Sequence, residues 1–481
     1  MLSDPYRTTL GRDPAHRTCA LNGYAFQQDA LHTFKGWQYA CFYSSLAADT
    51  PEPLYVHLSR RKLPAGDWET LVFEDYAQTI DDGHNTVQLG ICPGDGTIHL
   101  SYDHHCDVLR YRYSRPSVAT SPETTPWHSS LFTLTLSTLP GLEYDEQSNE
   151  LLSYITYPRF VTRGQDLLFT FRTGKAGLGD DHLYVYTAPS SSSSPATERK
   201  ETGTKERPEL GRYKFLGTHL KGVANNPYIH GMDVSPDGRT LHTTWVYREF
   251  VLYDGWDDPS DTKHKQQAGP NSAANNRDIC YAWSSDGGTR WHGGGGNTNT
   301  KINTSNTGEV IADLERGESI LPSSPGIVAF AVPKGSGLMN QEAQAVDGAG
   351  GVHVLNRDTL DAGVMRWKHY YRSPEGRWAQ RPLPHVQGVY GGKRGQIAVG
   401  RDGDLFFVLP HHADPVLTIL RASKASRYEE YELVWRGEGF VPTEPLVDKA
   451  RLCHDNVLSV YTRAFSGSGG HIDVVVLDFQ L

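Results

Sequence analysis

Apolar and polar residues alternate with a period of two through much of the chain, and helical periodicity is nearly absent. The alternating runs follow turns rich in Gly, Asp and Pro. The clearest are GDGTIHLSYDHH from Gly94, RGQDLLFTFR from Arg163, PDGRTLHTTWVYR from Pro236, DGAGGVHVLNRD from Asp347 and RDGDLFFVLPHH from Arg401. Weaker copies are QQDALHTFKG from Gln27 and CHDNVLSVYTR from Cys453, which brings the count to seven. Most turns lie roughly 53 to 73 residues apart, where four short strands with their turns need about 40–50, so longer loops fit between them. The interval from Asp237 to Asp347 is about 110 residues, and the Gly/Asn-rich stretch from Gly293 to Gly308 inside it reads as an insertion. The pattern predicts an all-β fold: one seven-bladed β-propeller over residues 1–481, with an inserted loop around 257–310. A pair of β-sandwiches is the alternative, but it does not require the same turn–strand unit seven times.

A local signature supports the propeller. Ser284, Asp286, Gly288 and Trp291 fit the S-x-D-x-G-x-x-W box, in which Asp caps a hairpin turn, Gly supplies positive φ and Trp packs behind. Such boxes are common in propellers that act on carbohydrates, and they are structural.

Composition narrows the function. Hydrophobic residues at 38% suffice for a sizeable core, and 48 Gly with 25 Tyr suit many short strands joined by tight turns. The net charge is −10, and the longest basic cluster, Lys200 to Arg207, is mixed with Glu in a Ser/Thr/Pro-rich tract. Nucleic acid is therefore excluded as the main partner. No apolar run reaches membrane-spanning length, so no membrane association is expected. The start, Met1 to Pro5, is not a signal peptide. Either the protein is cytosolic or a leader has been removed and Met1 added; the function argued below favours a secreted, extracellular, monomeric protein. The six cysteines are too sparse to form a scaffold, although Cys92 and Cys106 bracket a hairpin and could pair. Asn303-Thr304-Ser305 is the single glycosylation sequon.

Three segments carry candidate chemistry at strand ends, where a propeller lines its central pocket. The first is Asp81 to Asp107, a hairpin with Val87 to Ile91 as one strand, a turn at Pro93 to Gly96, and Thr97 to Asp103 as the other. His84 and Asn85 stand at one end, His104 and His105 at the other, so three histidines converge at the mouth. Alternation sends His104 and His105 to opposite sides. A packed or surface histidine is the bland reading for any one of them. Zinc held by His and Cys106 is a second, though the spacing fits no standard zinc motif. The second segment, Ser153 to Asp180, carries Tyr157, Arg159 and Arg172, the last before a Gly-rich loop and suited to gripping a carboxylate with both donors. A surface salt bridge is the alternative. The third brings His230, Tyr247, Arg248 and Tyr281, with core packing as the competing reading.

The three segments together resemble the propeller polysaccharide lyases, most of all the fungal L-rhamnose-α-1,4-D-glucuronate lyases acting on gum arabic, and the related bacterial ulvan lyases. The resemblance rests on DGHN (Asp82 to Asn85), DHH (Asp103 to His105), TYPRF (Thr156 to Phe160), FRTGKAGLGD (Phe171 to Asp180), HGMDVSPDGRTLH (His230 to His242) and NNRDICYAWSSDGG (Asn275 to Gly288). It implies β-elimination that releases L-rhamnose and leaves a 4,5-unsaturated glucuronate. By motif position, His105 is the base, His84 neutralises or orients the carboxylate, Tyr157 is the alternative acid/base and Arg172 the carboxylate clamp. Asn85, His104, Arg159, His230, Tyr247, Arg248 and Tyr281 are expected to bind an acidic polysaccharide. No cofactor is expected for catalysis, and no motif places a structural cation. Endo-acting cleavage of ulvan is the closest alternative. A sialidase-like hydrolase would need several Asp-boxes and an arginine triad, and a non-catalytic sugar-binding propeller would bind the chain unchanged.

Overall fold

The computed structural model describes residues 1–14, 16–24, 29–47, 53–189, 210–256, 269–294, 308–467 and 470–481. Lys200 to Arg207, the Asn303 sequon and much of the expected 257–310 insertion lie outside them. Seven antiparallel sheets form the blades of a β-propeller, and the described residues hold two short α-helices, Glu146–Leu151 and Lys449–Asp455. The first strands of the blades are Leu31–Phe34, Val87–Ile91, Ile155–Arg163, Asn225–Val234, Ala343–Val346, Gln396–Val399 and Leu446–Val447. They touch one another from sheet to sheet and so form the inner wall. The ring closes by mixing the chain ends: Tyr6–Arg12 pairs with Ile472–Gln480 as the outer strand of the last blade. Behind that seam Asp478 accepts from Arg61 and Arg451, each at 2.6 Å, all three buried. Paired charges of this kind are costly to break singly, so the seam is held by more than its ladder.

The recurring turn works through its aspartate. Asp95 Oδ1 accepts from the Thr97 amide at 3.0 Å, Asp237 Oδ1 from Arg239 and Thr240 at 2.8 and 2.9 Å, and Asp347 Oδ1 from Ala349 and Gly351 at 2.8 Å. Each carboxylate satisfies amides that the reversal exposes. Six of the seven repeats mark the second strand of a blade. The copy from Gln27 instead covers a first strand, Leu31–Phe34, and the corresponding second strand is Trp37–Ser45. The weak copy had the right spacing but no Asp turn to fix its phase.

The long interval from Asp237 to Asp347 also holds strands. Part of it is ordered sheet: Val310–Asp313 extends the fourth blade, and Val328–Phe330 adds to its third strand. The Asp-box behaves as its residues dictate. Asp286 Oδ1 takes the Arg290 amide at 2.9 Å, Gly288 has φ +101, and the buried Trp291 donates Nε1 to Gly288 O at 2.9 Å. All six cysteines are free, which corrects the pairing of Cys92 with Cys106. Cys92 lies at the closed end of its hairpin against Gln165 O, and Cys106 lies beyond the open end. Among the described residues no helix is long and apolar enough to cross a membrane.

Candidate active site

The hairpin forms as its sequence predicts. Val87 pairs with Tyr102 and Ile91 with Ile98, and every residue of both strands is buried. Its open end delivers His84 and His105 to one place. The two imidazoles stack with centroids 3.8 Å apart and planes at 18°. Asp82 lies behind both. His84 Nδ1 donates to Asp82 Oδ1 at 2.7 Å, and His105 Nδ1 donates to Oδ2 at 2.6 Å. An ionised carboxylate accepts only, so each neutral ring carries its proton on Nδ1 and its basic lone pair on Nε2. Burial alone would raise the Asp82 carboxyl, but hydrogen bonds from His105 and His84 hold it well below the usual range. Burial and the neighbouring His84 push His105 down to about 4, so the ring is neutral at physiological pH.

His104 turns the opposite way, as strand alternation requires. It is buried and accepts the Arg110 amide on Nε2 at 2.9 Å. The hairpin therefore brings together two histidines, not three. Zinc ligation through Cys106 is also corrected: its Sγ faces Thr156 Oγ1 and Gly174 O at 3.6 and 3.7 Å. Asp82, His84 and His105 are close enough to share an ion, and both Asp82 carboxylate oxygens also accept from Nδ1 of the two rings.

The backbone around this pair is strained. Asp103, Cys106 and Tyr157 have φ of +64, +59 and +58, in the left-handed region that bulky residues avoid. At Tyr157 the register between the first two strands of its blade slips, and this bulge aims the ring at His84, centroid to centroid 5.5 Å. Arg172 lies across the same ladder with its guanidinium 5.1 Å from the Tyr157 ring. Its Nη1 donates to the Tyr228 hydroxyl at 3.0 Å. Arg248 donates to the same oxygen at 3.2 Å. Burial would raise the Tyr228 phenol, yet the Arg248 and Arg172 charges bring it below its ordinary value. Arg248 also donates to Asn276 Oδ1 and Asn340 Oδ1, each at 2.9 Å, and Arg394 continues the array to Glu444 at 3.0 Å.

Asn85 is buried beside the pair, and its Oδ1 has no partner among the described residues. Arg159 and His230 lie one layer farther along their strands. Arg159 Nη2 donates to Ile229 O at 2.7 Å, and His230 Nδ1 accepts the Glu342 amide at 3.2 Å. Tyr247 and Tyr281 are not brought to the histidines. Tyr247 packs edge-on against Trp245 in the fourth blade, and Tyr281 hydrogen-bonds His242 at 2.8 Å and packs on Trp378. Both side chains leave the sheet on the core side, which their distance from a turn did not reveal.

Sequence reasoning assigned no role to Asp82, Tyr228, Asn340, Arg394 or Glu444. Each lies within a few residues of the start of an inner strand, and all but Asp82 in a segment whose own sequence carries no repeat or motif that marks it.

Known proteins share this architecture. A family model described as "BNR repeat-containing family member" matches residues 37–386. The chain belongs to this family. No curated protein matches it. Among solved structures, the polysaccharide lyase Uly1 superposes with a TM-score of 0.64 at 15% identity, over 100% of this chain and 99% of that one. An ulvan lyase of polysaccharide lyase family PL25 gives 0.59 at 12% identity over 98% and 95%. The same values hold for that ulvan lyase bound to -[GlcA(1-4)Rha3S]-. This member of the BNR repeat-containing family thus shares the lyases' fold along its whole length.

Proposed function

We propose that the protein is a polysaccharide lyase that cleaves next to glucuronate by β-elimination. The Asp82-clamped histidine pair facing Tyr157 and Arg172 carries this reading. The C5 proton of a uronate is weakly acidic, and its removal needs the adjacent carboxylate charge to be neutralised. Arg172 supplies that charge, with Tyr228 and Arg248 fixing its position. His105 Nε2 takes the C5 proton, the C–H electron pair forms the C4–C5 double bond, and O4 leaves with its bonding pair. O4 is then protonated by Tyr157 or by the proton returned from His105. His84 orients the carboxylate. No cofactor enters these steps.

The substrate we favour is an acidic polysaccharide with a rhamnose–glucuronate junction, met outside the cell. The motif resemblance supports terminal release of L-rhamnose from arabinogalactan side chains of gum arabic. Endo-cleavage of ulvan is the second reading, and it rests on the fold shared with ulvan lyases and on the glucuronate–rhamnose ligand of one of them. The test is ultraviolet absorbance of the unsaturated product, with gum arabic and ulvan offered separately to wild type and His105→Ala. A rise on gum arabic with free rhamnose, abolished in the variant, supports the first reading; a rise on ulvan alone supports the second. No rise on either overturns the lyase.

A further inference from the structure

A cavity of about 480 Å³ opens from the inner wall, and it is not the histidine site. His84, Tyr157 and Tyr228 stand at the beginnings of three inner strands. The cavity is lined by the far halves of the same strands, through Leu89, Phe160 and Met232, and by the turns that follow at Gly164 and Gly238. It therefore faces the opposite end of the propeller axis. Its volume lies within the roughly 300–1,000 Å³ range of small-molecule pockets.

Its chemistry is mixed and locally neutral. Arg159 lines the cavity at 4% exposure. One of its terminal nitrogens is held by Ile229 O, and the other, Nη1, has no hydrogen-bond partner among the described residues. A buried donor without a partner is costly, more so when charged, so a ligand that satisfies it gains accordingly. Asp29 offers a carboxyl across the same space, and Gln396 an amide. The positive charge is opposed by Asp181 and Asp233, and Lys449 is paired with Asp233 at 2.7 Å. A free anion would gain little there. Burial raises Asp29 to about 7, so that carboxyl both donates and accepts near neutrality. Leu89, Phe160 and Met232 supply apolar carbon between these polar groups.

We propose that this axial cavity is a second binding site, for one neutral monosaccharide, whose hydroxyls meet Arg159 Nη1 and Asp29 while its C–H face lies on Phe160, Leu89 and Met232. The proposal does not rest on the lyase reading, because the ligand is neutral and no bond is broken.

The experiment is isothermal titration of L-rhamnose, D-glucose and glycine into four full-length proteins: wild type, His105→Ala, Arg159→Gln and Ala450→Trp. Ala450 stands on the short helix Lys449–Asp455 at the cavity mouth and is partly exposed, so its replacement blocks entry without touching the core. The expected result is one sugar bound per chain, unchanged in His105→Ala and weakened at least about tenfold in Arg159→Gln and Ala450→Trp. If Arg159→Gln fails to fold, Ala450→Trp decides alone. Three outcomes overturn the proposal: no sugar binding in any protein, binding indifferent to Ala450→Trp, or binding lost in His105→Ala, which would put the sugar in the histidine site. Binding of glycine alone would also overturn it, since a zwitterion is then the ligand.

Discussion

Replacing Asp82 by Asn tests the proposed chemistry at its most exposed point. The carboxylate accepts from Nδ1 of both histidines and thereby sets both tautomers. The amide keeps one acceptor but presents a donor on its other side. One ring must then move its proton to Nε2 and lose its basic lone pair there. Two charge-assisted hydrogen bonds are weakened at once. At about 1.5–3 kcal/mol each, the combined loss is about 3–6 kcal/mol. If it falls on the transition state, kcat/KM drops about 10²- to 10⁴-fold. The loss should appear in kcat more than in KM, because the substrate does not touch Asp82. It is read as the initial rate of unsaturated uronate formation, with near-ultraviolet circular dichroism to establish folding. The pH profile supplies a second readout. Wild type should keep its activity down to near the His105 value of about 4 and lose it below, as the base takes up a proton. Removing a stabilising anion lowers imidazole basicity further, so the acid limb of the variant should not move upward. A folded Asp82→Asn protein with more than half the wild-type rate would refute tautomer control by this residue.

Three further outcomes are expected. Tyr228→Phe removes the oxygen that accepts from Arg172 and Arg248, and kcat should fall about 10- to 100-fold as the clamp loses its orientation; an unchanged kcat would separate this phenol from the site. Trp291→Ala should cost about 3–5 kcal/mol in denaturant unfolding, since this ring is fully buried and stacks on His219, while a retained midpoint would show that the Asp-box is dispensable. Stability should fall on acidification from pH 7 to 5. Buried histidines such as His99, lowered by burial to about 3, stay neutral when folded but bind a proton near 6.5 once unfolded. The unfolded state then holds more protons, so each such residue costs about 2 kcal/mol over that range. A flat melting temperature between those pH values would contradict the burial of these rings.

The alternation of apolar residues, the Asp-Gly turns and the Asp-box were enough to establish seven sheets. Their physics is local: a strand shows its period of two within five residues, and an Asx turn closes within four. The hairpin Val87 to Tyr102 was legible for the same reason, as was the divergence of His104 from His105. The motif order also singled out His84, His105, Tyr157 and Arg172, which the tertiary structure brings together. Tyr228, Asn340, Arg394 and Glu444 were not legible. Their meaning comes from closure of the ring, which sets the beginnings of inner strands more than two hundred residues apart around one axis. Tyr247 and Tyr281 show the reverse: plausible by position, they are carried into the core by the face of the sheet they leave from. The sequence alone determined which strands form and which residues crowd each strand end. Only closure of the propeller decided which of those ends meet, because contacts between blades depend on the rotation each blade makes about the axis, and no local pattern encodes that rotation.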